Sequence, residues 1–94
     1  MKLEFEWHDP KAEANWRNHG ITFELATTVF RDPFGVERID DREDCGENRY
    51  VIIGMAEGDV LLYVAYTERG DRIRLISARR ATQYEQEDYF RENS

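Results

Sequence analysis

The chain has 94 residues, enough for one domain built on one hydrophobic core. Apolar residues make up 40% and charged residues 35%, too hydrophobic for a disordered chain, and no apolar run nears the roughly 20 residues of a membrane span. Thirteen Lys and Arg stand against 20 Asp and Glu, and the net charge of -7 argues against a uniformly basic nucleic-acid-binding surface.

Leu3, Phe5 and Trp7 alternate with Glu4 and Glu6, the period of a strand with one buried face and not the pattern of a secretion signal, so the expected location is the cytoplasm. Asp9 is placed to cap a helix with Pro10 at its first position, Lys11 to Asn18 form its body, and Gly20 closes it. Trp7 and Trp16 read as core residues. Thr22 caps a second helix, whose Phe23, Ala26, Val29 and Phe30 recur at three and four residues until Asp32-Pro33 ends it. The two helices form a hairpin.

A weak strand at Val36 to Ile39 leads into Asp40 to Asn48, a polar loop whose Asp40, Asp41, Glu43 and Asp44 read as solvated charge. Three stronger strands follow at Tyr50 to Met55, Val60 to Thr67 and Ile73 to Ala78, separated by the turn sequences Glu57-Gly58-Asp59 and Glu68-Arg69-Gly70-Asp71. They form an antiparallel meander. Val60 to Tyr66 is apolar on both faces, as a central strand covered on both sides would be. Thr82 and Glu85 read as the capping box of a last helix that lacks a good core-facing stripe. The expected fold class is α+β, an antiparallel sheet packed with an N-terminal helical hairpin and a C-terminal helix.

Charge is distributed unevenly: residues 1 to 48 carry 6 Lys and Arg against 12 Asp and Glu, whereas Glu68 to Arg80 carries five arginines against two carboxylates. Arg72 and Arg74 share one face of their strand, and Arg69, Arg79 and Arg80 stand at its ends. Guanidinium groups bind phosphate through paired donors and stabilise charge in phosphoryl transfer, so the stretch from Thr67 to Arg80 suits RNA binding or cleavage. The alternative is a solvated edge whose arginines pair with Glu68, Asp71 and Glu57. His19 ends the first helix, where the partial negative charge of the helix C-terminus attracts an imidazolium that can donate a proton. Glu68, a carboxylate among arginines at a strand end, can act as a base or simply neutralise them. Tyr63 and Tyr66 can stack on bases or pack in the sheet. A lone Cys45 with only His8 and His19 offers neither a disulfide nor zinc-ligand spacing, and no metal or cofactor is expected.

Several stretches together match a known pattern: Trp7, Lys11 and Asn15, His19-Gly20-Ile21-Thr22-Phe23 with Ala26 and Val29-Phe30, Asp32-Pro33, Arg49 to Gly54, Thr67-Glu68-Arg69, and Ile73 to Arg79 with Ala81. Through them the chain resembles the BrnT family of type II toxins, in the wider RelE-like group of small ribonucleases. The resemblance implies a toxin that cleaves RNA and halts translation, and the lack of metal-ligand spacing makes metal-free cleavage the expectation. It also implies a BrnA-type antitoxin as partner, operator DNA bound only through that antitoxin, and a homodimer or a heterotetramer with it. By position it implies that His19, Glu68, Arg69, Arg74 and Arg79 lie in or near the active surface; the expected catalytic residues are His19, Glu68, Arg74 and Arg79, and the expected RNA-binding residues are Arg49, Arg69, Arg72 and Arg80. Asn18 stands where the family usually has Lys. The competing reading is a catalytically weak interaction module that binds the antitoxin and co-represses its operon.

Overall fold

The computed structural model describes residues 3–40 and 48–94, so Asp41, Glu43 and Asp44, expected as solvated charge, and Cys45 lie outside the described residues, while Asp40 is not solvated but sits in a strand with its side chain buried beside Arg49. In chain order the elements are β1 (Glu4–Glu6), α1 (Asp9–His19), α2 (Phe23–Thr27) with a 3-10 turn (Thr28–Arg31), β2 (Val36–Asp40), β3 (Arg49–Ala56), β4 (Val60–Arg69), β5 (Arg72–Arg80) and α3 (Gln83–Glu92).

Local chemistry explains most of the boundaries. The cap of α1 falls one residue earlier than Asp9, at extended His8, whose carbonyl accepts from Lys11 and Ala12 at 2.9 and 3.1 Å; Asp9 sits instead in the first turn, where its charge suits the helix dipole. Gly20 ends the helix at φ 68°, a left-handed conformation that costs glycine little, and its N–H donates to the Trp16 carbonyl at 2.8 Å. Thr22 Oγ1 accepts from the Leu25 N–H at 3.0 Å to start α2, and Thr82 and Glu85 form the reciprocal capping box of α3.

The five strands lie in the order β1-β5-β4-β3-β2. Strands β3 to β5 are the expected meander, β2 extends it antiparallel beside β3, and β1 adds to the edge of β5 in parallel, an orientation that alternation alone does not encode. Central β4 is covered on both faces. On one, Ile21, Phe23, Ala26 and Val29 pack on Ile52, Leu62, Val64, Tyr66, Leu75 and Ala78; on the other, Tyr89 of α3 packs with Val36, Ile53 and Ala81. Trp7 meets Phe23 edge-on, but Trp16 is 56% exposed. The expectation of a core Trp16 is corrected because α1 turns Ala12 and Asn15 inward and leaves the neighbouring position in solvent.

Two details fix how the elements meet. Asp32 joins three elements: its Oδ2 accepts from the Met55 N–H and the Tyr89 hydroxyl, both at 2.7 Å, and Oδ1 accepts from the Phe34 N–H. Burial and the bond to Asp32 push the Tyr89 hydroxyl up to about 12. Gly54 lets the 3-10 turn approach β3, since a Cβ there would lie 2.6 Å from Val29 Cγ1. Gly54→Ala should therefore destabilise the protein by about 1–3 kcal/mol, read as a lower midpoint in urea with an unchanged slope.

Candidate nucleic-acid interface

Strand β5 does not alternate regularly. Tyr66 faces Leu75 across the ladder while Ala65 faces Ser77, so Ile76 is an extra residue on β5 at this point. In a regular strand Arg74 and Arg79 would point to opposite faces. The bulge reverses the phase between them, so both stand on the face that α3 partly covers, and Arg79 lies over the Tyr63 ring with its Cζ 4.1 Å from the centroid.

The registers assemble the rest. Arg72 faces Arg69, Arg74 faces Thr67, Thr67 faces Arg49, and Arg49 faces Asp40, which puts Arg49, Arg69, Arg72, Arg74 and Arg79 on one face. Arg69 and Arg72 are like charges directly opposite each other, an arrangement that a sheet favours only if an anion or neighbouring carboxylates offset it. Arg80, beside Leu62, points to the other face.

Among the described residues, the carboxylates paired with Arg49, Arg72, Arg74 and Arg79 are not Glu68, Asp71 and Glu57. Parallel pairing of β1 brings Glu4 and Glu6 opposite Arg72 and Arg74, so Arg74 Nη1 lies 3.0 Å from Glu6 Oε2 and Arg72 lies 3.6 Å from Glu4. Arg49 lies 4.0 Å from Asp40, and Arg38 lies 2.9 Å from Asp88. Glu57 pairs with Arg31 instead. Arg79 donates through both terminal nitrogens to Glu85, each bond 2.9 Å, while Glu85 also accepts from the Thr82 N–H at 2.8 Å. One carboxylate thus caps α3 and holds Arg79.

Burial pushes the Glu85 carboxyl up, but the bonds from Arg79 and the Thr82 backbone outweigh it and hold the group below its ordinary 4.5. Burial likewise raises Asp32, and the bonds from Met55, Tyr89 and Phe34 bring it below 3.8. A lowered carboxylate lends stability that is complete above its unfolded value and is lost as pH falls through the folded one. Melting temperature should therefore drop as pH falls below about 4.5, and Glu85→Gln, less stable than the parent at pH 7, should show a shallower drop in the same scan.

The two proton-transfer candidates lie away from the arginine face. Glu68 follows Thr67 and so points to the opposite side. There it lines a cleft of about 270 Å³ with Glu37, Ile39 and the stacked rings of Tyr50 and Tyr66. Tyr66 donates to Glu37 Oε2 at 2.9 Å; burial first, and then this bond, raise its pKa. His19 is exposed at the end of α1 and has no hydrogen-bond or ion-pair partner among the described residues. The carboxylate that the fold sets against Arg74 is Glu6, 68 residues away in sequence, and alternation in β1 signalled its outward direction but not its partner. Among the described residues no three His, Cys, Asp or Glu are grouped to hold a metal ion, and no helix is long and apolar enough to cross a membrane.

A small α+β protein with an arginine-lined sheet face is of a class suited to phosphate-bearing ligands. Residues 7–85 match the family model described as the ribonuclease toxin BrnT of type II toxin-antitoxin systems, and the chain belongs to this family, which implies an antitoxin partner. The crystal structure of the Brucella abortus ribonuclease toxin BrnT is similar, with a TM-score of 0.58 and 22% identity over 87% of this chain and 100% of that one. No curated protein sequence matches the chain. β1, and with it Glu6, lies outside the matched residues.

Proposed function

We propose that this chain is a cytoplasmic endoribonuclease that cleaves RNA without a metal ion, halts translation, and is neutralised by a BrnA-type antitoxin. The observation that carries the reading is the bulge in β5, which gathers Arg74 and Arg79 with Arg49, Arg69 and Arg72 on one face. Attack by a 2'-hydroxyl on the adjacent phosphorus forms a bond from O2' to phosphorus and breaks the bond to the 5'-oxygen of the next nucleotide. The attacking oxygen loses a proton, the leaving oxygen gains one, and a 2',3'-cyclic phosphate remains. Arg74 holds the scissile phosphate and stabilises its added charge, Arg79 assists once released from Glu85, and Arg49, Arg69 and Arg72 hold flanking phosphates. Arg80, at the end of β5, reaches RNA that extends past the sheet edge. Glu6 stands nearest Arg74 as a proton acceptor, with His19 and Glu68 as the other candidates. The antitoxin would form a heterotetramer with the toxin and carry it to operator DNA.

Purified protein incubated with a defined RNA should yield fragments ending in a 2',3'-cyclic phosphate. Intact RNA, or fragments ending in a 3'-hydroxyl, would reject the mechanism. Glu6→Gln, His19→Ala and Glu68→Ala in the same assay identify the proton-moving group by the lost limb of the pH–rate profile.

The locked state of Arg79 and the distance of His19 and Glu68 from the arginine face favour a second reading, a binding module that joins the antitoxin and co-represses the operon. Expression of the chain alone separates the two: growth arrest supports the enzyme, and growth at full speed with intact protein supports the module.

A further inference from the structure

Thr67 lies in the interior of the sheet, 2% exposed, and its Oγ1 is buried without a hydrogen-bond partner among the described residues; Arg49 Nε is likewise buried without a hydrogen bond there, 4.0 Å from Asp40. Buried polar groups are nearly always paired, so two orphans on adjacent strands call for an explanation. Arg49 and Thr67 are register partners, and so are Thr67 and Arg74. All three side chains therefore stand on one face in one row across the sheet. With Glu6 opposite Arg74 and Asp40 opposite Arg49, the row reads carboxylate, guanidinium, hydroxyl, guanidinium, carboxylate. The positive charges lie inside, the negative ones outside, and the Thr67 hydroxyl is at the centre.

We propose that Arg49, Thr67 and Arg74 form a seat for one phosphodiester group of single-stranded RNA. The Thr67 hydroxyl donates to a non-bridging oxygen, and the two guanidinium groups close on the phosphate from either side. The proposal rests on the ribonuclease reading and adds Thr67 and Arg49 to it as the residues that fix where the backbone sits. Two arginines on strands flanking a common neighbour are about 10 Å apart at their Cα atoms, a span their long side chains can bridge around a phosphate. Arg49 and Arg74 are 27% and 31% exposed, so both can turn from their carboxylates to the ligand. A phosphate offers only acceptors, and the row meets it with two donor-only guanidinium groups and a hydroxyl that can turn its hydrogen towards it. Arg79 is not part of the seat, because Glu85 and Tyr63 hold it at the α3 end of the face.

The test uses the intact chain and a fluorescent single-stranded RNA methylated at every 2'-oxygen, which binds but cannot be cut. Thr67→Val keeps the shape and removes the hydroxyl. It should weaken binding about tenfold with an unchanged or higher melting temperature, since an unpaired buried hydroxyl does not support the fold. Thr67→Ser should restore binding, and Arg49→Gln should weaken it and reduce the log–log salt slope by about 0.7, the loss of one phosphate contact. Arg17→Gln on α1 controls for net charge. Binding by Thr67→Val equal to the parent overturns the seat, as does a parent chain that ignores the probe. If Thr67→Val does not fold, equal binding by parent and Arg49→Gln overturns it instead. Cleavage of unmethylated RNA is read separately: cutting without Thr67 dependence rejects the seat alone, and Thr67-dependent binding without cutting rejects the nuclease alone.

Discussion

Arg74→Ala should lower RNA cleavage by about 10²- to 10³-fold, the usual effect of removing one donor aimed at charge that develops in the transition state. On the proposed reading, three features of the fold suit Arg74 to that role. It projects from the first half of β5, it stands opposite Thr67 in the ladder, and its carboxylate partner Glu6 is on an edge strand at 3.0 Å. That ion pair is partly exposed, so its loss costs little stability and the variant should melt within a few degrees of the parent. Arg79→Ala gives the contrasting result. Arg79 makes two bonds to Glu85, the residue that caps α3, and stacks on Tyr63, so its removal loosens the α3 junction and lowers the melting temperature by several degrees. Relief of growth arrest by Arg74→Ala in a fully folded chain marks a chemical role. Unchanged cleavage by Arg74→Ala would remove this residue from the mechanism.

Asn15→Ala should be the most damaging single change to stability. The side chain is buried at the upper edge of β5, beyond the point where β1 stops pairing. Its Nδ2 donates to the Ala78 carbonyl at 2.8 Å and to the Ile21 carbonyl at 2.9 Å, and its Oδ1 accepts from the Ala78 N–H at 3.0 Å. One amide thus takes the place of a neighbouring strand for Ala78 and also ties down the chain after α1. Alanine would leave three buried backbone groups unpaired, at a cost of about 2–4 kcal/mol. For a chain of this size that lowers the melting temperature by roughly 10–25 °C, measured by circular dichroism. Asn15→Asp should be nearly as harmful, because a carboxylate would turn an acceptor towards two carbonyl oxygens. A melting temperature unchanged in Asn15→Ala would show that water replaces the amide and that the edge needs no side-chain partner.

Asn15 also shows the limit of reading along the chain. It matched the family pattern, but an asparagine in a helix gives no local sign that it completes a strand 63 residues away. Trp16 misled for the same reason: a large aromatic in a helix reads as core, and the position that faces inward was taken by the amide beside it. Glu85 was visible as the third residue of a capping box, while its second task became visible only when the bulge turned Arg79 towards α3. Membership of a ribonuclease toxin family was legible because its motifs cover most of the chain, yet those motifs do not say which side chains meet.

What the sequence by itself determined about this protein is whatever near neighbours enforce. Thr22 and Thr82 cap helices through donors three residues ahead, Gly20 supplies a left-handed stop, and the continuous apolar run of Val60 to Tyr66 yields a strand buried on both faces. These effects act over one turn or one pleat. The tertiary structure alone decided that β1 pairs in parallel and brings Glu6 to Arg74. It alone placed Glu68 behind the sheet from that arginine, and through one extra residue in β5 put Arg74 and Arg79 on the same face. Faces and partners in a sheet depend on register, and register is set by packing across the whole core, so an arginine-rich strand cannot show which of its charges act together until its neighbours are in place.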